Sequence, residues 1–313
     1  MKTLRVTLET VTPLFLGGAD PRDRNSIPEL RPPSFRGQMR YWLRAVLGGV
    51  IGDKNPEGLR LLESKVLGNT ERGSPISITL SGNPSSSVHS ILPHKPDRGR
   101  RNAFNSNQAF ELTLRMNRPG LKAEDEVAWV NASMALNMIF LFGGVGLRSR
   151  RGFGSLRVVE SSDQRFIPLT PLENEKWYQY LDWIPRNAFK YAQYLAQLHG
   201  ILTTNLPHPP TEFPCASHGV IVRVAENIVT NKANDSLKEF MSVMPQASFL
   251  GGINPRQASP LWIRVFRANN KYRLLLCVLP SKLISGTSYS NLSGFLNKSF
   301  PGQDISIKGW NHE

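Results

Sequence analysis

The chain has 313 residues with 40% hydrophobic content, enough for two ordinary domains, each with its own core. Its 38 Lys and Arg against 24 Asp and Glu give a net charge of +14, which favours a nucleic-acid partner over a neutral metabolite. The longest apolar run, residues 134–142, is far short of the ~18 residues that span a bilayer, and the two cysteines, Cys215 and Cys277, are too few for a disulfide scaffold or a Cys-based zinc site.

In chain order, Leu4, Val6 and Leu8 alternate with Arg5, Thr7 and Glu9, predicting a half-buried first strand that ends at Thr12-Pro13. The amino terminus lacks the apolar core of a signal peptide, so a cytosolic location is expected. The loop FLGGADP and the proline-rich LRPPS follow, and Ser34 is placed to cap a helix beginning at Phe35. Within it, Phe35, Met39, Trp42, Leu43 and Val46 share one face, while Arg36, Arg40 and Arg44 form a stripe beside it. No carboxylate lies between Arg31 and Asp53 to relieve that stripe, so an external anion is expected to do so. Phosphates along a single strand suit the spacing.

A second helix is predicted over 57–67 and a strand over 76–80. Residues 81–108 turn to Ser, Pro, Asn and Arg without apolar period and read as a flexible insertion. A strand over 110–116 and a helix reaching Phe142, with Glu124, Asp125 and Glu126 in its first turn, complete a strand-helix-strand-strand-helix order. The loop GLRSRRGFGSL, residues 146–156, then leads into the next strand. Its glycines, Gly152 and Gly154 among them, let backbone approach a phosphate. Arg148, Arg150 and Arg151 supply forked donors, and Phe153 offers a face for a base. A basic turn with glycines for a tight bend accounts equally for these residues.

Beyond it, a helix over 177–200, a strand over 219–225, a helix over 237–244 and a hairpin over 261–279 turning at Asn269-Asn270 suggest a degraded second copy of the same order. FLGGADPR, residues 15–22, recurs as FLGGINPR, residues 249–256, and Gly17 and Gly18 of the first copy and Arg256 of the second are candidate RNA-binding positions. Coincidence around a common turn explains the repeat nearly as well. The fold class is therefore α+β, with two tandem ferredoxin-like domains of antiparallel sheet, 1–165 and 166–313.

The pattern TPLFLGGADP, ELRPPSFRGQMRYWLRA, LESKVLG, GGVGLRSRRGFGSL and ASPLWIRV resembles the RAMP superfamily, and within it the family of first subunits of the Cmr complex, the type III-B CRISPR effector. That resemblance implies an RNA-binding subunit that contacts guide RNA or target RNA at the 3′ guide end, beside backbone subunits of a ribonucleoprotein that defends against viruses. It carries binding roles onto Arg36, Gly37, Arg40 and Arg44 in the helix and onto Gly152, Phe153 and Gly154 in the loop. Neither cofactor nor metal is implied, and the six histidines are scattered rather than clustered at ligand spacing. An enzymatic alternative uses Asp20 or Asp23, since the equivalent loop of RAMP backbone subunits holds a cleavage-promoting aspartate. Ordinary turn and ion-pair explanations weigh against it. His89 and His94 serve a guide-processing nuclease less well. A protein-docking scaffold is the third reading, resting on Trp177, Tyr178, Tyr180 and Trp183, a cluster that is more often core.

Overall fold

The computed structural model describes residues 2–17, 26–117, 122–165, 177–245, 247–254, 256–282, 289–305 and 307, without the side chains of 177–180, 248, 253 and 256. The first half runs β1 (Thr3–Thr10), α1 (Pro32–Ile51), α2 (Pro56–Leu67), β2 (Ile76–Ser81), β3 (Ser86–Ser90), β4 (Arg100–Phe104), β5 (Ala109–Met116), α3 (Ala123–Phe142) and β6 (Leu156–Ser161). Its main sheet has the order β2-β5-β1-β6, with β1 antiparallel to both β5 and β6. With β3 and β4 set aside as a separate ribbon, this is the ferredoxin-like arrangement expected. The alternation of β1 works as predicted: Leu4, Val6 and Leu8 face a core shared with Phe35, Met39 and Trp42 of α1.

Two local expectations are corrected. Ser34 does not cap α1, because Pro32 and Pro33 occupy its first turn, where a missing N–H costs nothing; Arg31 is the cap residue, and the Ser34 amide donates to its carbonyl. The segment 81–108 is not featureless. His89 pairs with Arg101 and Ser90 with Arg100 in the β3-β4 ribbon, and Leu14 pairs with Phe104, anchoring it to the chain that leaves β1. A largely polar ribbon, buried only at Ala103 and Phe104 where β4 ends, has no apolar alternation to display, so its strands are invisible to periodicity.

From Ala128 to Phe142, α3 is buried on every side. It lies against α1 and α2, against the first sheet, against α4 (Trp177–Leu198), and against the sheet of the second half. That second half runs β7 (Ile221–Val224), α5 (Ala233–Val243), β8 (Gly252–Ile253), β9 (Arg256–Gln257), β10 (Leu261–Ala268), β11 (Lys271–Val278) and α6 (Tyr289–Ser299). Its sheet order is β10-β11-β7, and Asn269 and Asn270 take positive φ in the two-residue turn, as a hairpin of this twist demands. The fourth strand survives as one bridge, Arg223 to Asp304, on the free side of β7. Stripped of β8 and β9, the second half is thus the first half's order with its last strand eroded.

Strand β10 joins the halves. Leu261, Ile263 and Val265 pack in a core with Leu237 and Phe240 of α5 and Leu292 and Leu296 of α6, while Trp262 and Phe266 enter the core of the first half. Arg264 lies on that same inward face, fully buried. One N–H reaches the Leu156 carbonyl at 2.8 Å, and Nε and the other terminal nitrogen find no partner among the described residues. Burial lowers its pKa to about 9. No helix among the described residues is long and apolar enough to cross a membrane.

Candidate nucleic-acid interface

The stripe on α1 is compensated by a partner 19 residues from Arg44 and 23 from Arg40 in sequence. Glu63 of α2 is 4% exposed and receives hydrogen bonds from both Arg40 and Arg44, the latter also through a second contact at 3.1 Å. Arg40 further donates to the carbonyls of Leu67 at 3.0 Å and Gly68 at 2.7 Å, where α2 ends. Arg36 donates to the carbonyls of Leu67 and Ile76, and burial together with the Arg40 charge lowers its pKa. The stripe is therefore not unrelieved as expected: α1 itself carries no carboxylate, and the compensating one comes from α2. A signal existed: Glu63 shares the apolar face of α2 with Leu59, Leu62 and Val66, where a lone acid needs a cation.

Moving outward from α2, the stripe changes character. Arg36 and Arg40 are half-buried struts, whereas the Arg44 side chain is 50% exposed. Gly37 lies beside them. At about 100° per residue it falls between Arg40 and Tyr41 on the helix surface, and a Cβ there would meet nothing within 4 Å. On the far side, Tyr41 accepts a hydrogen bond from Trp262 Nε1 at 2.9 Å, and burial pushes its phenol up to about 12. Arg150 stacks over both rings, 4.8 Å from the Tyr41 centroid and 4.7 Å from that of Trp262.

The glycine-rich loop follows α3 and forms a single 3-10 turn at Ser149–Arg151, between Arg148 and Gly152, both in the left-handed region. Its predicted chemistry is largely corrected. Phe153 is 1% exposed and packs edge-on against Phe15 at 5.1 Å, so it offers no face to a base. Gly152 and Gly154 are required by packing. A Cβ on Gly152 would lie 2.7 Å from Leu237, and one on Gly154 would lie 1.9 Å from the Val145 carbonyl. Arg150 donates to the Ser259 carbonyl and Arg151 to that of Leu250, which ties the loop to the second half. Burial, helped by Arg148 and Arg150, lowers the Arg151 pKa to about 10.

Arg148 differs from its neighbours. It has no hydrogen-bond or ion-pair partner among the described residues and lies near His94 at the tip of the β3-β4 ribbon, where burial, then the charges of Lys95 and Arg148, lower the His94 pKa. Gly17 is exposed, and its carbonyl accepts from Arg31 at 3.5 Å. Gly18, Asp20 and Asp23 lie outside the described residues, as does the side chain of Arg256. So do the side chains of Trp177, Tyr178 and Tyr180, and Trp183 is 38% exposed. The three expected motifs do come together, through Phe15 against Phe153 and Tyr41 against Arg150, but Arg150, Arg151 and Phe153 of the loop turn inward.

An antiparallel ferredoxin-like sheet carrying an arginine helix and a glycine-rich loop defines a class, and residues 7–157 match the RAMP superfamily. Among curated proteins, the chain is 30% identical over 184 residues to the CRISPR system Cmr subunit Cmr1-2 of Pyrococcus furiosus, covering 48% of this chain and 92% of that one. It is 31% identical over 155 residues to Cmr1-1 of the same organism, covering 44% of this chain and 43% of that one. The chain belongs to the Cmr1 family of the RAMP superfamily. Its fold is that of crystalline apo Cmr1 from Pyrococcus furiosus, with a TM-score of 0.69 at 20% identity over 98% of this chain and 99% of that chain. A chain of a type III-B Cmr-beta complex bound to cognate target RNA and AMPPnP is similar at a TM-score of 0.63 and 13% identity, covering 94% of this chain and 98% of that one.

Proposed function

We propose that this protein is a non-catalytic, RNA-binding subunit of a type III-B Cmr effector, holding guide or target RNA at the 3′ guide end through the outer face of α1, beside other Cmr subunits. Gly37 carries the reading. A glycine inside a helix costs roughly 0.5–1 kcal/mol relative to alanine, and neither positive φ nor a crowded neighbour explains this one. A ligand backbone pressed against the helix does, with Arg40 and Arg44 on one flank and Arg150 on the other. Arg148 and Lys95 extend the cationic surface towards the ribbon. The non-catalytic part is supported by Glu63, the carboxylate beside the stripe: three hydrogen bonds from two guanidinium groups hold it as a charged partner of Arg40 and Arg44 and make it a poor base for a substrate hydroxyl.

Gly37→Ala tests this. We expect the thermal midpoint to hold or rise while affinity of the full chain for single-stranded RNA falls about threefold or more, as one added methyl pushes the strand away. The RNA should be recovered intact. A more stable variant with unchanged affinity would remove α1 from the interface, and chain-dependent RNA fragments would remove the non-catalytic reading.

A further inference from the structure

A cavity of about 550 Å³ opens between α1 and the end of α2, lined by Arg40, Arg44, Arg60, Glu63, Asn69 and Thr70. Three guanidinium groups surround one carboxylate, leaving an excess of two positive charges. Glu63 divides the labour among them. Its two oxygens fix Arg40 and Arg44, and Arg40 is further committed to the Leu67 and Gly68 carbonyls. Arg40 is therefore a strut. Arg44 still has nitrogens to spare, and Arg60 is exposed on α2 with no hydrogen-bond or ion-pair partner among the described residues.

The rest of the wall narrows the ligand. Asn69 Oδ1 is occupied by the amides of Glu71 at 3.1 Å and Arg72 at 2.7 Å, and no described interaction occupies its side-chain amide or the Thr70 hydroxyl. These are groups for oxygen-rich ligands. Among the described residues no aromatic ring lines the cavity, so it has nothing on which to stack a base. Its volume exceeds that of a lone oxyanion and falls in the range of small-molecule sites.

We propose that this cavity is a sequence-independent site for the ribose and phosphate of one nucleotide of an RNA strand, with Arg44 and Arg60 on the phosphate and Glu63 as the positioning residue that orients Arg44. This rests on the RNA-binding reading above and places a second anchor on the opposite flank of Arg40 from Gly37. A guide whose bases vary demands a grip that reads backbone alone.

The experiment compares Arg60→Ala and Glu63→Gln with the unaltered full chain on oligo-uridine and oligo-adenosine of equal length. Arg60 lies on the surface, so its loss should leave the thermal midpoint unchanged and weaken both RNAs equally, by about threefold to tenfold. Glu63→Gln decides between a positioned site and diffuse attraction, since it raises the net charge by one. Diffuse attraction predicts tighter binding, and the positioned site predicts weaker binding because Arg44 is released. Should Glu63→Gln fail to fold, Arg60→Ala alone decides, with Arg60→Lys restoring part of the affinity. Unchanged affinity in Arg60→Ala overturns the proposal, and so does loss of complex assembly with RNA affinity intact, which would assign the cavity to an acidic protein partner. Gly37→Ala keeps the two readings distinct: a loss there with none in Arg60→Ala leaves the α1 interface standing and removes only this site.

Discussion

The outer face of α1 and the turn at Ser149–Arg151 are both rich in arginine and glycine, yet they meet opposite surroundings. On α1, Gly37 has open space above it and Arg44 reaches solvent. In the turn, Gly152 and Gly154 are wedged against Leu237 and the Val145 carbonyl, and Arg150 and Arg151 end on backbone carbonyls of the other half. Residue type alone does not distinguish a surface that grips a polyanion from a buried junction, because a guanidinium satisfies carbonyls and aromatic faces as readily as phosphates. What separates them is whether the surrounding space is already filled.

The largest expected effect lies in the turn. Gly154→Val puts a branched side chain at φ +62 and drives its Cβ into the carbonyl of Val145, the residue whose N–H closes the loop by donating to the Gly154 carbonyl at 3.1 Å. Left-handed strain and a displaced backbone together should cost more than about 4 kcal/mol, read as a collapsed urea midpoint. A folded Gly154→Val that loses only RNA affinity would make the turn a binding element after all. Phe153→Ala should cost about 3 kcal/mol, the usual loss for a buried phenylalanine, and the same unfolding titration measures it. Retained stability would mean that Phe153 does not help to hold the halves together through the core it shares with Leu237 and Ile263.

Much of the fold was open to the sequence because the signals were local. The alternation in β1 and β5, the apolar stripe of α1 and the paired asparagines before β11 each need only a few neighbours to act. The βαββαβ order and its eroded repeat follow from those elements in series. The β3-β4 ribbon escaped because His89, Ser90, Arg100 and Arg101 sit on a strand pair without apolar alternation, buried only at Ala103 and Phe104. The site was less legible. Arg36, Gly37, Arg40 and Arg44 could be picked out as a group, but not the Glu63 that divides struts from free cations, since that contact is made by the packing of α2 on α1. Arg60, Asn69 and Thr70 had no motif to announce them, and only the cavity brings them together. Inward rotation of the glycine loop depends on Leu237, Leu250 and Ser259, all about 80 residues or more further along the chain.

The smallest effect on stability, and the one that most sharpens the contrast, is expected from Arg44→Ala. Its side chain is half exposed, so losing its bond to Glu63 should cost no more than about 1 kcal/mol after solvent screening, and Arg40 still neutralises the buried carboxylate. Binding should respond in a different currency. If Arg44 neutralises one phosphate of a single strand, the slope of log affinity against log salt should fall by about 0.7, measured with the full chain and one RNA across a salt series. Arg151→Ala is the counterpart on the other side of the comparison. That guanidinium is buried and donates to the Leu250 carbonyl, so its removal should lower the unfolding midpoint and leave the salt slope where it was. Equal slopes in the two variants would dissolve the distinction between an open and a filled arginine surface. An inverted result, with the slope reduced by Arg151→Ala and untouched by Arg44→Ala, would require the junction between the halves to open when RNA binds.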